Sequence, residues 1–175
     1  MLSEMSEKEK FGFKLVITGN AGVGKTSLIR RYADNKFDED YKPSIGADFT
    51  LKVINFPGYD VILTCWDIGG QDLFDSLRNY YYFGSNASII VFDVTRPETL
   101  ERVKSKWIPD IKTHVGDIPL LVLANKVDLE DERKVSKEEI EKWSKDLGVK
   151  IYETSAKTGE NVKEAFETIA KMCFK

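Results

Sequence analysis

Gly19-Asn20-Ala21-Gly22-Val23-Gly24-Lys25-Thr26 is the stretch whose reading decides the fold. Before it, Lys14-Leu15-Val16-Ile17-Thr18 is apolar and β-branched enough for a buried strand, and from Lys25 the chain through Arg30 suits a helix. Gly19, Gly22 and Gly24 therefore fall in a strand-to-helix turn. Without a Cβ they let the backbone take positive φ, so that several N–H groups converge on an anion at a helix N-terminus. Lys25 adds a point charge for β- and γ-phosphates, and the Thr26 hydroxyl is the kind of hard oxygen ligand Mg²⁺ prefers. The spacing is that of a phosphate-binding loop.

At 175 residues the chain suits one domain with a substantial core. Residues 1–10 are polar and charged and read as a flexible leader, with the domain over 11–175. Hydrophobic residues at 42% and charged ones at 31% describe a globular protein without a stretch long enough to cross a bilayer. A net charge of −3 gives no electrostatic footprint for nucleic acid. Two cysteines, Cys65 and Cys173, and no signal peptide fit a reducing cytoplasm. A single histidine, His114, placed in a loop, excludes a histidine-rich metal site.

Beyond the first helix, Asp34 to Gly46 shows neither helical nor strand period and is a long loop, a length that itself hints at function. Ala47–Phe56 and Tyr59–Trp66 flank Pro57-Gly58 and predict an antiparallel hairpin. A break at Asp67-Ile68-Gly69-Gly70-Gln71 then presents Asp67 at a strand end, where a bound phosphate would sit. Strands follow at Ala87–Val94, Pro119–Asn125 and Val149–Thr154, and helices at Pro97–Thr113, Ser136–Leu147 and Asn161–Phe174. Pro109 predicts a kink or early end in the first of these helices. Alternating strands and helices make a mostly parallel sheet with helices on both faces and ligands at the strands' carboxyl ends.

A phosphate loop alone serves kinases, ATPases and GTPases, so the base must be read elsewhere. Asn125-Lys126-Val127-Asp128 follows one strand and Ser155-Ala156-Lys157 follows the last. The Asp128 carboxylate can accept from both N1–H and the 2-amino group of guanine, a fork adenine cannot match.

With these motifs in order the chain resembles a small GTPase of the Ras superfamily from about Phe11 to Phe174. The resemblance implies a P-loop NTPase fold, three-layered α/β/α, with a six-stranded sheet that is parallel except for one hairpin strand. It implies that Ala21, Gly22, Val23, Gly24, Lys25, Thr26 and Ser27 hold the phosphates of GTP or GDP, and that Phe37 stacks against the base. Asn125 and Asp128 read the guanine, Lys126 packs along it, and the Ala156 N–H reaches the guanine oxygen with Ser155 and Lys157 in support. Mg²⁺ falls to Thr26, Ser44 and Asp67. Gly70 senses the γ-phosphate and Gln71 orients the attacking water, with Lys25 completing the catalytic set.

The first switch loop would run over Tyr41-Lys42-Pro43-Ser44-Ile45-Gly46, with Tyr41 at the nucleotide, and the second from Asp67 to about Phe83. The implied function is a monomeric molecular switch that hydrolyses GTP. Effectors, exchange factors and GTPase-activating proteins would bind it through residues 41–49 and 67–83. Ile45-Gly46-Ala47-Asp48-Phe49 and the trio Phe49, Trp66 and Tyr81 resemble the Rab branch; Trp66 to Gln71 is closer to Arf-like proteins, and Lys106 to Ile111 echoes the Rho branch. Serine at 44, where threonine is usual, keeps the metal ligand and loses a methyl, which predicts weaker closure of the first switch. Ala21 stands where some members have glycine. No arginine lies in the first switch, so intrinsic turnover is expected to be slow, with about 10³–10⁵-fold available from an arginine supplied in trans. The tail Met172-Cys173-Phe174-Lys175 matches no prenylation box, leaving membrane attachment open. The alternative reading is a scaffold that holds GTP with negligible turnover.

Overall fold

The computed structural model describes residues 7–40 and 46–174; of residues 72–74 it describes the backbone. β1 (Glu9–Gly19) ends in the fully buried Leu15-Val16-Ile17, because both of its flanks are occupied by parallel neighbours and both of its faces by helices. α1 (Lys25–Asp34) follows, then the hairpin of β2 (Ala47–Phe56) and β3 (Tyr59–Ile68), turning at Gly58 with φ 90°. A 3₁₀ turn over Asp72–Leu77 leads into the short α2 (Arg78–Tyr82). β4 (Ala87–Asp93), β5 (Leu120–Asn125) and β6 (Lys150–Thr154) complete a six-stranded sheet of order β2-β3-β1-β4-β5-β6, in which the β2–β3 pair alone is antiparallel.

The apolar strands feed two cores by simple alternation. In β4, Ile89 and Val91 face a layer containing Leu28 of α1 and Phe166 and Ile169 of α6 (Val162–Met172), whereas Ile90 and Phe92 face Leu100, Trp107 and Ile140. Leu100 belongs to α3 (Pro97–Arg102) and Ile140 to α5 (Lys137–Leu147). Ser136 caps α5 by accepting the Glu139 N–H at 3.1 Å, and Gly148 ends it at φ 64°.

Several sequence boundaries move. Glu9 and Lys10, read as leader, pair with Tyr59 and Asp60 in β1. β3 extends past Trp66, so Asp67 sits inside the strand, opposite Ile17 on one side and Asp48 on the other. Pro109 does not end its helix early, which continues to His114. A π turn at Val103–Trp107, with the Ile108 N–H donating to the Val103 carbonyl, carries the chain into α4 (Ile108–His114). The widened turn precedes the proline, whose missing N–H then falls in the first turn of a new segment. His114 is accordingly the last residue of α4 and not a loop residue; its Nδ1 lies 2.8 Å from the Asp110 carbonyl oxygen.

Candidate functional site

β1, β3, β4, β5 and β6 terminate along one edge, where Ile17 pairs with Asp67, Asp93 with Asn125, and Asn125 with Thr154. A cavity of about 980 Å³ opens there, lined at one end by Gly22, Gly24, Lys25 and Thr26 and at the other by Lys126, Asp128, Ala156 and Lys157.

At the phosphate end, Gly22 and Gly24 take φ 75° and 103° as the loop turns into α1, and Gly24 supplies no side chain to cap that helix. Space also demands glycine: a Cβ on Gly24 would stand 2.3 Å from Asn125 Nδ2. Lys25 is buried, and its ammonium donates to the carbonyls of Gly19 at 3.0 Å and Asn20 at 2.9 Å. Burial lowers its pKa to about 8, opposed by Asp67 and reinforced by Arg78 and Arg96. A phosphate arriving beside it would favour the charged form.

The Thr26 hydroxyl donates to Asp67 Oδ2, bringing together two of the oxygens expected at a metal. A hydroxyl and a buried carboxylate next to a phosphate cradle are the donor set a hard divalent cation takes, so these residues fit Mg²⁺. Gly70 lies against the phosphate loop so closely that a Cβ there would be 2.3 Å from the Gly19 oxygen and 2.5 Å from the Ala21 nitrogen. Gln71 follows it on the cavity wall, and its carbonyl accepts from Arg78 Nη2 at 3.3 Å. The Gly69 N–H donates to the Gly46 carbonyl at 2.8 Å, joining the roots of both expected switch segments. Tyr41 and Ser44, with the expectation attached to Ser44, lie outside the described residues.

At the base end, Ser155 Oγ donates to Asp128 Oδ1 at 2.7 Å and fixes that carboxylate on the cavity wall. Asn125 is buried: its Nδ2 donates to the Val23 carbonyl at 2.9 Å, and its Oδ1 accepts from Thr154 Oγ1 at 3.2 Å and the Ala156 N–H at 3.3 Å. Its amide thus ties the phosphate loop to the last loop, leaving one amide hydrogen for a base. Lys126, in the left-handed region at φ 69°, pairs with Asp93 at 2.8 Å. Phe37 lines the cavity and packs on the core, while Glu39 beside it pairs with Lys157 at 3.6 Å.

Sequence reasoning missed a tier of residues behind these. Burial opposes charge on Asp93, yet hydrogen bonds from Lys126 and Thr95 hold its carboxyl below the usual range. Arg96 bridges Asp93 at 3.2 Å and the Ala21 carbonyl at 2.9 Å. Trp107 Nε1 donates to Asn20 Oδ1 at 2.8 Å, and the buried Arg78, stacked 4.8 Å over Trp107, pairs with Asp75 and Asp110. For Asp93 and Arg96 the only signal was polarity at a strand end, which any loop shows; Arg78 in α2 and Trp107 in the π turn gave none.

The aromatic trio is contiguous, with Phe49 stacked on Trp66 at 5.5 Å and Trp66 6.4 Å from Tyr81; Phe49, Leu51, Tyr80 and Phe83 are exposed nearby. Among the described residues no helix is long and apolar enough to cross a membrane.

A cavity lined by a phosphate-loop motif at one end and by Asp128 and Ala156 at the other, on a mostly parallel sheet with helices on both faces, fits a P-loop GTPase, and the chain belongs to the Ras family, whose model matches residues 14–175. It is 38% identical to human Ras-related protein Rab-8B over 168 residues, covering 95% of this chain and 81% of that protein. It is 40% identical to mouse Ras-related protein Rab-21 over 162 residues, covering 92% and 72% respectively. Bovine Ras-related protein Rab-13 is 38% identical over 160 residues, 91% of this chain and 78% of that one. These relatives set the chain in the Rab branch, among GTP-binding, GTP-hydrolysing switches that act with GTP or GDP and Mg²⁺.

Proposed function

We propose that this site performs Rab-like switching through the residues described above, with an output in trafficking or signalling. One observation carries the reading: a single cavity is walled by Lys25 and Thr26 at one end and Asp128 and Ala156 at the other, so one guanosine polyphosphate can span both. The loop N–H groups and Lys25 hold the β- and γ-phosphates. Asp128 accepts from N1–H and the 2-amino group, and the Ala156 N–H meets the guanine oxygen. Thr26 and Asp67, with Ser44 added by the sequence resemblance, would hold Mg²⁺, which would supply charge neutralisation at the phosphates. Gln71 orients a water in line with the γ-phosphorus; the water oxygen bonds to phosphorus as the bond to the bridging oxygen breaks, the water's protons leave on the released inorganic phosphate, and the leaving GDP oxygen takes the charge. Lys25 and the Gly70 N–H stabilise that charge as it spreads over the phosphoryl oxygens.

The aromatic trio, with Phe49 exposed and Trp66 and Tyr81 half-buried beside it, forms the partner-facing surface, held between segments that the γ-phosphate orders. The proposed setting is the cytoplasm, with a peripheral place at a membrane if a partner recruits the protein or a longer chain carries an anchor.

Replacing Gln71 by leucine tests the catalytic part. The side chain sits on the cavity wall apart from the base loops, so single-turnover GTP hydrolysis should slow by about 10²-fold with GDP affinity unchanged. A rate within twofold of the parent would remove Gln71 from the mechanism. Hydrolysis undetectable in the parent as well would instead favour the scaffold reading.

A further inference from the structure

We propose that Arg31 is a positioning residue for base recognition, setting the direction of the backbone donors at Ala156 and Lys157 that face the guanine oxygen. The inference rests on the base-reading role given to that loop above and adds the residue that holds the loop in register. Arg31 lies in α1, far from the loop in sequence, yet its Nε donates to the Ala156 carbonyl at 2.7 Å and its Nη2 to the Lys157 carbonyl at 2.5 Å. A planar guanidinium fork suits two successive carbonyls, and a lysine ammonium lacks that fixed geometry. Its remaining nitrogen, Nη1, donates to the Asn35 carbonyl at 3.3 Å and to Asn35 Oδ1 at 3.0 Å. Asn35 is the left-handed residue that ends α1 at φ 53°, just before Phe37.

The consequence for the base follows from peptide geometry. In a planar trans peptide the C=O and the next N–H point in opposite directions. Arg31, by holding the Ala156 oxygen on the α1 side, therefore turns the Lys157 N–H the other way, and Ala156 and Lys157 both line the cavity. The Ala156 N–H belongs to the neighbouring peptide and donates to Asn125 Oδ1 at 3.3 Å, a long bond that a guanine oxygen can share as a three-centre contact, so the donor that Arg31 turns directly is the Lys157 N–H. One arginine thus anchors the donors for the guanine oxygen and, through Asn35, the root of the segment carrying Phe37. Arg31 itself is not a wall of this cavity, so its effect is exerted through the loop.

A role confined to the guanine oxygen is separable from general stabilisation by changing that atom. 6-Thio-GDP keeps N1–H and the 2-amino group for Asp128 and replaces the oxygen with sulfur, a weak acceptor. Dissociation constants for GDP and 6-thio-GDP would be measured by competition against a fluorescent GDP derivative for the parent, Arg31→Ala and Arg31→Lys, each checked for folding by circular dichroism. The parent should prefer GDP by about tenfold, the worth of a good hydrogen bond. Arg31→Ala should weaken GDP by about tenfold while leaving 6-thio-GDP within about twofold, so that the preference collapses. Arg31→Lys should fall between. Equal weakening of both nucleotides, or an unchanged preference in Arg31→Ala, would overturn the proposal. A parent that does not distinguish the two would overturn the base-reading role of the loop and this inference with it, and that result is recognisable before any variant is made.

Discussion

Asp128→Asn should exchange the base preference, lowering GDP affinity by about 10²-fold and raising that for xanthosine diphosphate by a similar factor. Ser155 Oγ donates to one Asp128 oxygen at 2.7 Å, which fixes the plane of the carboxylate and turns its other acceptor positions toward the cavity. An ionised carboxylate accepting from N1–H and the 2-amino group gains two charge-assisted bonds, each worth about 1.5–3 kcal/mol. The asparagine amide presents N–H where the 2-amino group also presents N–H, and the two donors repel. Xanthine carries oxygen at that position and matches the amide. Competition binding of GDP and xanthosine diphosphate to parent and variant reads both changes, and GDP affinity retained within twofold would remove Asp128 from base recognition.

Gly24→Ala should be at least as damaging to GDP binding for a different reason. The substitution places a methyl 2.3 Å from Asn125 Nδ2 and asks an L residue to hold φ 103°. The strain costs about 1–3 kcal/mol. The clash strikes the amide that donates to the Val23 carbonyl at 2.9 Å and links the phosphate loop to the Thr154–Ala156 region. Relief requires breaking that link, so both ends of the cavity lose their mutual registry, and GDP affinity should fall by at least about 10²-fold. Gly148→Ala is the control, because φ there is 64° with open space around the added methyl and the residue lies at the end of α5. It should cost about 1 kcal/mol of stability and leave GDP affinity unaltered. GDP affinity for Gly24→Ala matching that of the control would show that the crowding is relieved without consequence.

The contrast between these positions shows where sequence reading reaches. The hairpin at Pro57-Gly58 and the capped helix after Ser136 were legible because local chemistry specifies them: a turn pair between alternating runs, and a hydroxyl three residues ahead of a glutamate. The helix through Pro109 was not, because proline's local veto is met by a π turn stabilised by the burial of Val103 and Trp107 against the sheet. The residues assigned to the nucleotide sit in short motifs with fixed spacing, so Lys25, Asp67 and Asp128 could be placed at or near the strand ends of one edge before any coordinates. Arg31, Asp93, Arg96 and Trp107 could not, since the partners that tie them to the site (the Ala156 and Lys157 carbonyls, Lys126, the Ala21 carbonyl and Asn20 respectively) are distant in sequence.

The sequence by itself determined the strand-turn-helix phosphate cradle, the alternation that makes a parallel sheet, and the chemistry that singles out guanine, because each depends on residue types at fixed short spacing. Tertiary structure alone decided that Asn125 spends most of its amide joining two loops, that Gly70 packs against the phosphate loop, and that Arg31 reaches the carbonyls of the base loop. These contacts join segments up to 126 residues apart, and only the common edge at which the strands end brings them within hydrogen-bond range.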